Sequence, residues 1–186
     1  MLRNVTAQIS NMITLTRVML SCILSLYIVN HFGSTSVPVV ISLIVFATDF
    51  IDGKIAKYYK STSLFGAYFD IVADMFYILS FYIVLYHFNI VPMVFLFVIL
   101  FKFLEFVITS LLHRKFAIIK SIFLYDPIGR MTAAIFYIFP ILAYLSFVFF
   151  ASIHTIIIYV LIYIETFLSF VSCIQRILII YRLLKS

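Results

Sequence analysis

Four aspartates, Asp49, Asp52, Asp70 and Asp74, are the residues of this sequence that are best suited to chemistry. They are four of only seven acidic residues in a chain of 186. Side chains three or four positions apart share one face of a helix, so Asp49 projects with Asp52 and Asp70 with Asp74. Carboxylate oxygens are the ligands that Mg²⁺ takes, usually together with water and substrate phosphates. The spacing therefore predicts two carboxylate pairs that hold divalent cations.

These acids lie in unusually apolar surroundings. The chain is 66% hydrophobic and 11% charged, with a mean hydropathy of +1.23, whereas soluble domains are about half apolar and about a quarter charged. We therefore expect an all-α integral membrane protein in which residues 1–186 form a single domain. A carboxylate at membrane depth costs about 2.5–3.5 kcal/mol on insertion scales. Solvated helix ends are an alternative for one pair, but four facing acids favour a metal site.

The apolar stretches predict six membrane-spanning helices, since a span needs about 20 mostly apolar residues. A turn over 58–63 would bring the two aspartate pairs face to face. The first residues, with Leu2, Val5 and Ile9 at helical spacing, predict a short amphipathic helix on the inner membrane surface before the first span. The six predicted spans are Met12–His31, Val37–Lys57, Leu64–Tyr86, Ile90–Leu112, Ile128–Phe149 and Ile153–Ile180.

The basic residues predict the orientation of these spans. Lys and Arg precede or open the first span, follow the second and fourth, and close the chain, while the loops between spans one and two, three and four, and five and six contain none. By the positive-inside rule, both termini and the aspartate pairs face the cytoplasm, in a cell inner membrane or an organelle membrane. The net charge of +6 then reflects topology and attraction to anionic lipid, and we expect no nucleic-acid partner.

Two of the four glycines lie beside the aspartates. Gly53 follows Asp52, and Gly66 precedes Asp70 by four positions. Because glycine lacks a Cβ, a ligand can approach the backbone closely at these positions. Helix packing through small residues is the alternative, and it is equally suited to Gly66.

The stretch from Asp49 to Asp74 reads D-x-x-D-G-x-x-A-K-x(8)-G-x-x-x-D-x-x-x-D. It closely resembles the signature of the CDP-alcohol phosphotransferase family, which usually has A-R where this chain has Ala56-Lys57. The stretch S-N-M-I-T-L-T-R, which ends at Arg17, is similar to the N-x-[I/L]-T-x-x-R that opens the first span of many members. Six spans with both termini inside also match the family fold.

The resemblance implies transfer of a substituted phosphate from a CDP-linked donor to an alcohol, with release of CMP. It implies that Asp49, Asp52, Asp70 and Asp74 hold two divalent ions, Mg²⁺ or Mn²⁺, and that Asp74 is the catalytic base for the acceptor hydroxyl. It also implies a homodimer. The donor-binding residues that it implies are Asn11, Thr14, Arg17, Gly53, Ala56, Lys57 and Gly66. Lys57 keeps the charge of the usual arginine but lacks its planar fork.

The acceptor is less well defined. The small size of the chain is typical of phosphatidylglycerophosphate-synthase-like members, which use CDP-diacylglycerol and glycerol 3-phosphate; inositol, inositol phosphate and serine are the alternatives. Arg114, Lys115 and Arg130 are candidates to bind an acceptor phosphate, although they also fit the positive-inside pattern. Where related bacterial synthases often read D-P-x-A-D-K, this chain has Ile71 and Met75.

Three further ionisable residues lie inside predicted spans. Lys102 and Glu105, at i,i+3, are predicted to form an ion pair, and Glu165 either joins that pair or lines a cavity.

Two other functions compete with the enzyme hypothesis. A small channel or transporter would distribute acids across the membrane depth, and an inactive relative would bind lipid without catalysis. The concentration of four acids at one edge favours an enzyme.

Overall fold

The computed structural model describes residues 2–58, 64–116, 124, 126–150 and 152–185. All regular structure in these ranges is α-helical. Contacts between backbone segments divide the chain into two compact units, residues 1–88 with the first three helices and residues 89–186 with the last three. The helices are α1 Leu2–Asn30, α2 Ser36–Tyr58, α3 Leu64–His87, α4 Met93–Phe116, α5 Pro127–Phe149 and α6 His154–Lys185.

Five of these helices contain apolar stretches long enough to cross a bilayer: Asn11–Asn30, Gly66–His87, Met93–Phe116, Pro127–Phe149 and His154–Lys185. In α2 the apolar stretch among the described side chains is Ser36–Ile51, and the side chains at 52 and 53 that follow it lie outside the description. The prediction of an all-α integral membrane protein is confirmed for the described chain. The second predicted span, Val37–Lys57, is helical, and the described apolar stretch of this helix contains Asp49.

The separate N-terminal amphipathic helix that the sequence predicted is not a separate element. Helix α1 runs without a break from Leu2 to Asn30. Neither proline nor glycine occurs in this range, so no residue interrupts the backbone hydrogen-bond ladder between the polar opening and the apolar span.

The first unit is organised around one buried face of α1, which packs against α2 and α3. This face consists of Thr14, Arg17, Ser21, Leu24 and Ile28, all of them fully buried. Their alternating spacing of three and four residues is that of a continuous helical stripe. The stripe is apolar towards the C-terminal end of α1 and polar at Thr14 and Arg17, so α1 presents a cation and a hydroxyl to its two neighbours.

In the second unit, α6 packs against both α4 and α5. The apolar core includes Phe95 of α4, whose ring centroid lies 5.9 Å from that of Phe136 and 5.5 Å from that of Phe139 on α5. Helix α5 begins with Pro127 at its first position, where a missing N–H is tolerated, and Asp126 is its N-cap. Glu165, Ser169, Ser172 and Arg176 form a buried polar stripe on α6.

Candidate active site

Arg17 lies between carboxylates from two different helices. Its Nη1 donates a hydrogen bond of 2.5 Å to Oδ1 of Asp74 on α3, and its Nη2 lies 3.1 Å from Oδ1 of Asp49 on α2. The planar guanidinium can bond two acceptors at once because its N–H groups point in fixed directions. One member of each predicted aspartate pair is therefore brought to the same group on α1.

Asp70 also bonds to α1. Its Oδ1 accepts a hydrogen bond of 2.6 Å from the hydroxyl of Thr14, one turn before Arg17. Asp49, Asp70 and Asp74 lie close enough for their charges to interact. Three carboxylates and one guanidinium thus form a cluster with excess negative charge, which we call the carboxylate cluster.

The acids of the cluster are more accessible than the groups that bind them. The side chains of Asp49 and Asp74 are 47% and 33% exposed, whereas that of Arg17 is 0% exposed. Thr14 is fully buried as well. A ligand that arrives from outside the protein therefore meets the carboxylates before it meets the groups of α1.

The donor set of the cluster suits a hard divalent cation, because it offers carboxylate oxygens and an uncompensated negative charge. Arg17 supplies one positive charge between two of the acids, so the three carboxylates of the cluster still exceed its cations. Among the described side chains, no group of three metal-ligating residues is arranged to hold an ion. The fourth expected ligand, Asp52, lies outside the described side chains. The residues thus fit a metal in chemical type and in charge.

The other expected donor-binding positions are only partly described. Asn11 is half-buried on α1, one turn before Thr14, and Gly66 lies on α3, one turn before Asp70. Both are therefore adjacent to residues of the carboxylate cluster. The side chains at Gly53, Ala56 and Lys57 on α2 lie outside the description, as does the predicted turn between α2 and α3.

The three candidate acceptor-binding residues belong to the second unit. Arg114 is half-buried and Lys115 exposed in the last turn of α4, and Arg130 is exposed in the first turn of α5. The Lys115 ammonium lies 5.4 Å from the centroid of the Phe116 ring. All three cations are accessible at helix ends.

The second unit contains its own buried polar network. The predicted pair is present: Lys102 Nζ lies 2.7 Å from Glu105 Oε2, and it also donates to Ser172 Oγ at 2.8 Å. Ser172 in turn donates to Asp126, the N-cap of α5, at 2.9 Å. Glu165 is fully buried and interacts electrostatically with Lys102, which supports its assignment to this network.

Arg176 is the central residue of this network, and sequence reasoning missed it. Its Nε lies 3.3 Å from Glu105 Oε1, and its Nη1 lies 3.5 Å from Asp126 Oδ1. It also donates to the hydroxyls of Thr109 and Ser110 on α4. In the sequence, Arg176 lies near the C-terminus and matches the pattern of basic residues on the cytoplasmic side. The signal that could have identified it is the polar stripe on α6, since residues at such spacing share one face.

The chain was compared with models of known protein families. The family model for CDP-alcohol phosphatidyltransferase matches residues 7–180, a range that includes parts of all six helices. A search of curated proteins found no match to this chain. The chain therefore belongs to the CDP-alcohol phosphatidyltransferase family, which confirms the resemblance recognised from the sequence motifs.

Proposed function

We propose that this chain is a metal-dependent enzyme that transfers the phosphatidyl group of CDP-diacylglycerol to a small polar alcohol and releases CMP. Membership of the family establishes the general reaction, transfer of a phosphatidyl group from a CDP-alcohol to an alcohol acceptor. The observation that carries the more specific proposal is the carboxylate cluster, in which Asp49 and Asp74 meet at Arg17 and Asp70 is bonded to Thr14.

The metal-binding residues in this proposal are Asp49, Asp52, Asp70 and Asp74, which would hold two ions of Mg²⁺ or Mn²⁺. When bound, such ions neutralise the donor diphosphate and stabilise the attacking and leaving oxygens. Phosphoryl transfer depends mainly on positioning and charge stabilisation, so a site rich in accessible carboxylates suits this chemistry.

Asp74 is the proposed catalytic base. It takes the proton of the acceptor hydroxyl as the acceptor oxygen forms a bond to the phosphatidyl phosphorus and the bond from that phosphorus to CMP breaks. A carboxylate within hydrogen-bond reach of a hydroxyl is the expected helper, because a neutral alcohol is a poor nucleophile. Arg17 supports this role, since its hydrogen bond to Asp74 Oδ1 orients the carboxylate.

The proposed donor site follows the family motif. Asn11, Thr14 and Gly66 are adjacent to the carboxylate cluster, and Gly53, Ala56 and Lys57 complete the motif on α2. Gly53 and Gly66 allow the nucleotide to approach the backbone closely. Lys57 offers the donor phosphates a point charge in place of the bidentate contact that an arginine makes.

The proposed acceptor is glycerol 3-phosphate. An acceptor that carries a phosphate needs cationic groups, and Arg114, Lys115 and Arg130 offer three at accessible helix ends. Inositol phosphate would use the same cations, whereas inositol and serine would not need a phosphate site. The identity of the acceptor is therefore tested by comparing CMP release with each of these four alcohols.

We further propose that residues 1–186 form one catalytic domain with six membrane spans, both termini in the cytoplasm and the active site at the cytoplasmic face. The distribution of Lys and Arg supports this orientation. It lets a lipid donor reach the carboxylate cluster from the membrane while a polar acceptor enters from the cytoplasm. The homodimer is proposed on family resemblance.

The test is CMP release from CDP-diacylglycerol by purified protein in detergent with Mn²⁺. The acceptors are glycerol 3-phosphate, inositol, inositol 1-phosphate and serine, each compared with a reaction without acceptor. We expect release that depends on glycerol 3-phosphate. Release with another acceptor would reassign the substrate, and failure with every acceptor by folded, metal-loaded protein would contradict the proposed reaction.

A further inference from the structure

Arg17 has a place in the structure that differs from the donor contact implied by the motif. We propose that Arg17 is a positioning residue: its guanidinium is the resident counter-cation that holds Asp49 and Asp74 together before a metal ion binds. This inference rests on the proposed function, because it concerns the same carboxylates that would bind the metal.

The geometry is the first argument. Arg17 uses two different nitrogens for two acids, at 2.5 Å to Asp74 and 3.1 Å to Asp49, and these acids come from two different helices. The guanidinium therefore links α1 to α2 and to α3 at one point. A lysine ammonium is a point charge without this fixed fork. A lysine at this position would keep the positive charge but would not hold Asp49 and Asp74 in the same geometry.

Burial is the second argument. Arg17 is fully buried, whereas both of its carboxylate partners are substantially exposed. Contact with a donor phosphate on the accessible side would require movement of Arg17 or of the side chains that cover it, because its side chain is 0% exposed. A resident role needs no such movement, and the neighbouring bond from Thr14 to Asp70 extends the support to a third acid.

Electrostatics is the third argument. Asp49, Asp70 and Asp74 repel one another, and removal of a buried cation from such a set leaves uncompensated charge, which is strongly destabilising. A divalent metal would compensate the same negative charge as Arg17. Two groups that compensate one charge are energetically coupled, so the effect of removing Arg17 must depend on whether metal is present.

The experiment is thermal unfolding of detergent-purified wild type, Arg17→Gln and Arg17→Lys, each with chelator and with Mn²⁺. Arg182→Gln is the matched control, because Arg182 is an exposed arginine near the end of α6. With chelator we expect Arg17→Gln to unfold about 5–10 °C below wild type, given the usual relation between stability and Tm for a chain of this size. We expect Mn²⁺ to raise its Tm about twice as much as that of wild type, by the coupling between the two cations.

Arg17→Lys should lie between wild type and Arg17→Gln in both conditions, because the charge remains and the fork is lost. Arg17→Lys also keeps the proposal testable if Arg17→Gln does not fold. If the Tm of Arg17→Lys equals that of wild type both with chelator and with Mn²⁺, the proposal is wrong. Arg182→Gln should match wild type with and without Mn²⁺.

The remaining outcomes separate this inference from the proposed function. If Mn²⁺ stabilises wild type and Arg17→Gln equally, Arg17 is uncoupled from the metal and the inference is wrong, while the proposed function stands. If Arg17→Gln has the Tm of wild type and only a raised KM for CDP-diacylglycerol, Arg17 binds the donor and the inference is wrong. If Mn²⁺ does not shift the Tm of wild type, the metal role fails and the inference fails with it.

Discussion

In residues 1–88 one arginine bonds two of three clustered carboxylates, whereas in residues 89–186 two cations, Lys102 and Arg176, are interleaved with Glu105 and Asp126. The second network is almost completely buried: Glu105, Asp126 and Arg176 have side-chain exposures of 7%, 2% and 1%. The acids of the first cluster are far more accessible.

This contrast separates two uses of charge inside apolar helices. Buried pairs with matched charge hold helices in one arrangement, and loss of a single partner is costly. Accessible acids in excess of their cations are suited to bind a cation from outside. Glu165 adds a further acid to the second network, but it is fully buried beside Lys102 and so is not presented to a ligand from outside.

The largest expected effect of a substitution is on catalysis in the first unit. Asp74→Asn should reduce CMP release by about 10²–10⁴-fold, the usual contribution of a general base, because the amide cannot take the acceptor proton. The measurement is the initial rate of CMP release with saturating acceptor. Thr16→Val on the exposed side of α1 is the control and should keep the wild-type rate. An Asp74→Asn rate within threefold of wild type would remove Asp74 from the chemistry.

Next in size is a stability effect in the second unit. Arg176→Met should reduce the free energy of unfolding by about 3–5 kcal/mol, because Glu105 and Asp126 lose a buried partner. The measurement is denaturant unfolding in detergent with and without Mn²⁺. Unlike Arg17→Gln, this variant should gain no extra stability from Mn²⁺. An enlarged Mn²⁺ effect in Arg176→Met would erase the distinction between the two units.

A smaller effect is expected where α5 begins. A Cβ at Gly129 would collide with the carboxylate of Asp126, which accepts a hydrogen bond of 2.6 Å from the Gly129 N–H. Gly129→Ala should therefore cost about 0.5–2 kcal/mol, the range for loss of an N-cap. Met131→Ala, at an exposed position on the same helix, is the comparison in the same unfolding assay. Equal stability of the two variants would show that the cap is dispensable.

A comparably small effect concerns the hydrogen bond from the Thr14 hydroxyl to the Asp70 carboxylate. Thr14→Val should cost about 1.5 kcal/mol, the lower end of the range for a hydrogen bond to a charged group, because this bond is only partly buried. Thr16→Val should be nearly neutral, since the Thr16 hydroxyl bonds only the Met12 carbonyl of its own helix among the bonds described. The free energy of unfolding of both variants is measured with chelator present. A larger loss of stability for Thr16→Val than for Thr14→Val would contradict the importance of the Asp70 contact.

The sequence predicted what depends on local pattern. Apolar run length located the helices, and the i,i+3 spacing of Lys102 and Glu105 identified their ion pair. The motif with four aspartates led to the family before any geometry was known. The N-terminal segment was predicted incorrectly because a polar opening was taken for a separate helix, although no residue there breaks α1.

What the sequence could not show is which distant side chains meet. Arg17 bonds Asp74, 57 positions away, and Arg176 bonds Ser110, 66 positions away. Such contacts depend on how helices pack, and helical periodicity alone does not determine that. Arg176 resembles an ordinary positive-inside residue in the sequence, whereas Arg17 belongs to the motif that opens the first span. The carboxylate partners of both arginines became known only from the structure.

The most direct test of the central claim is CMP release by chelated wild-type protein as Mn²⁺ is returned, with CDP-diacylglycerol and glycerol 3-phosphate present. If the carboxylate cluster is a metal-dependent phosphatidyltransferase centre, CMP release is absent with chelator and is restored as Mn²⁺ is added. Restoration should fail in Asp49→Asn and Asp70→Asn proteins that remain folded. Full CMP release by metal-free protein, or by either folded variant, would contradict the assignment of the cluster.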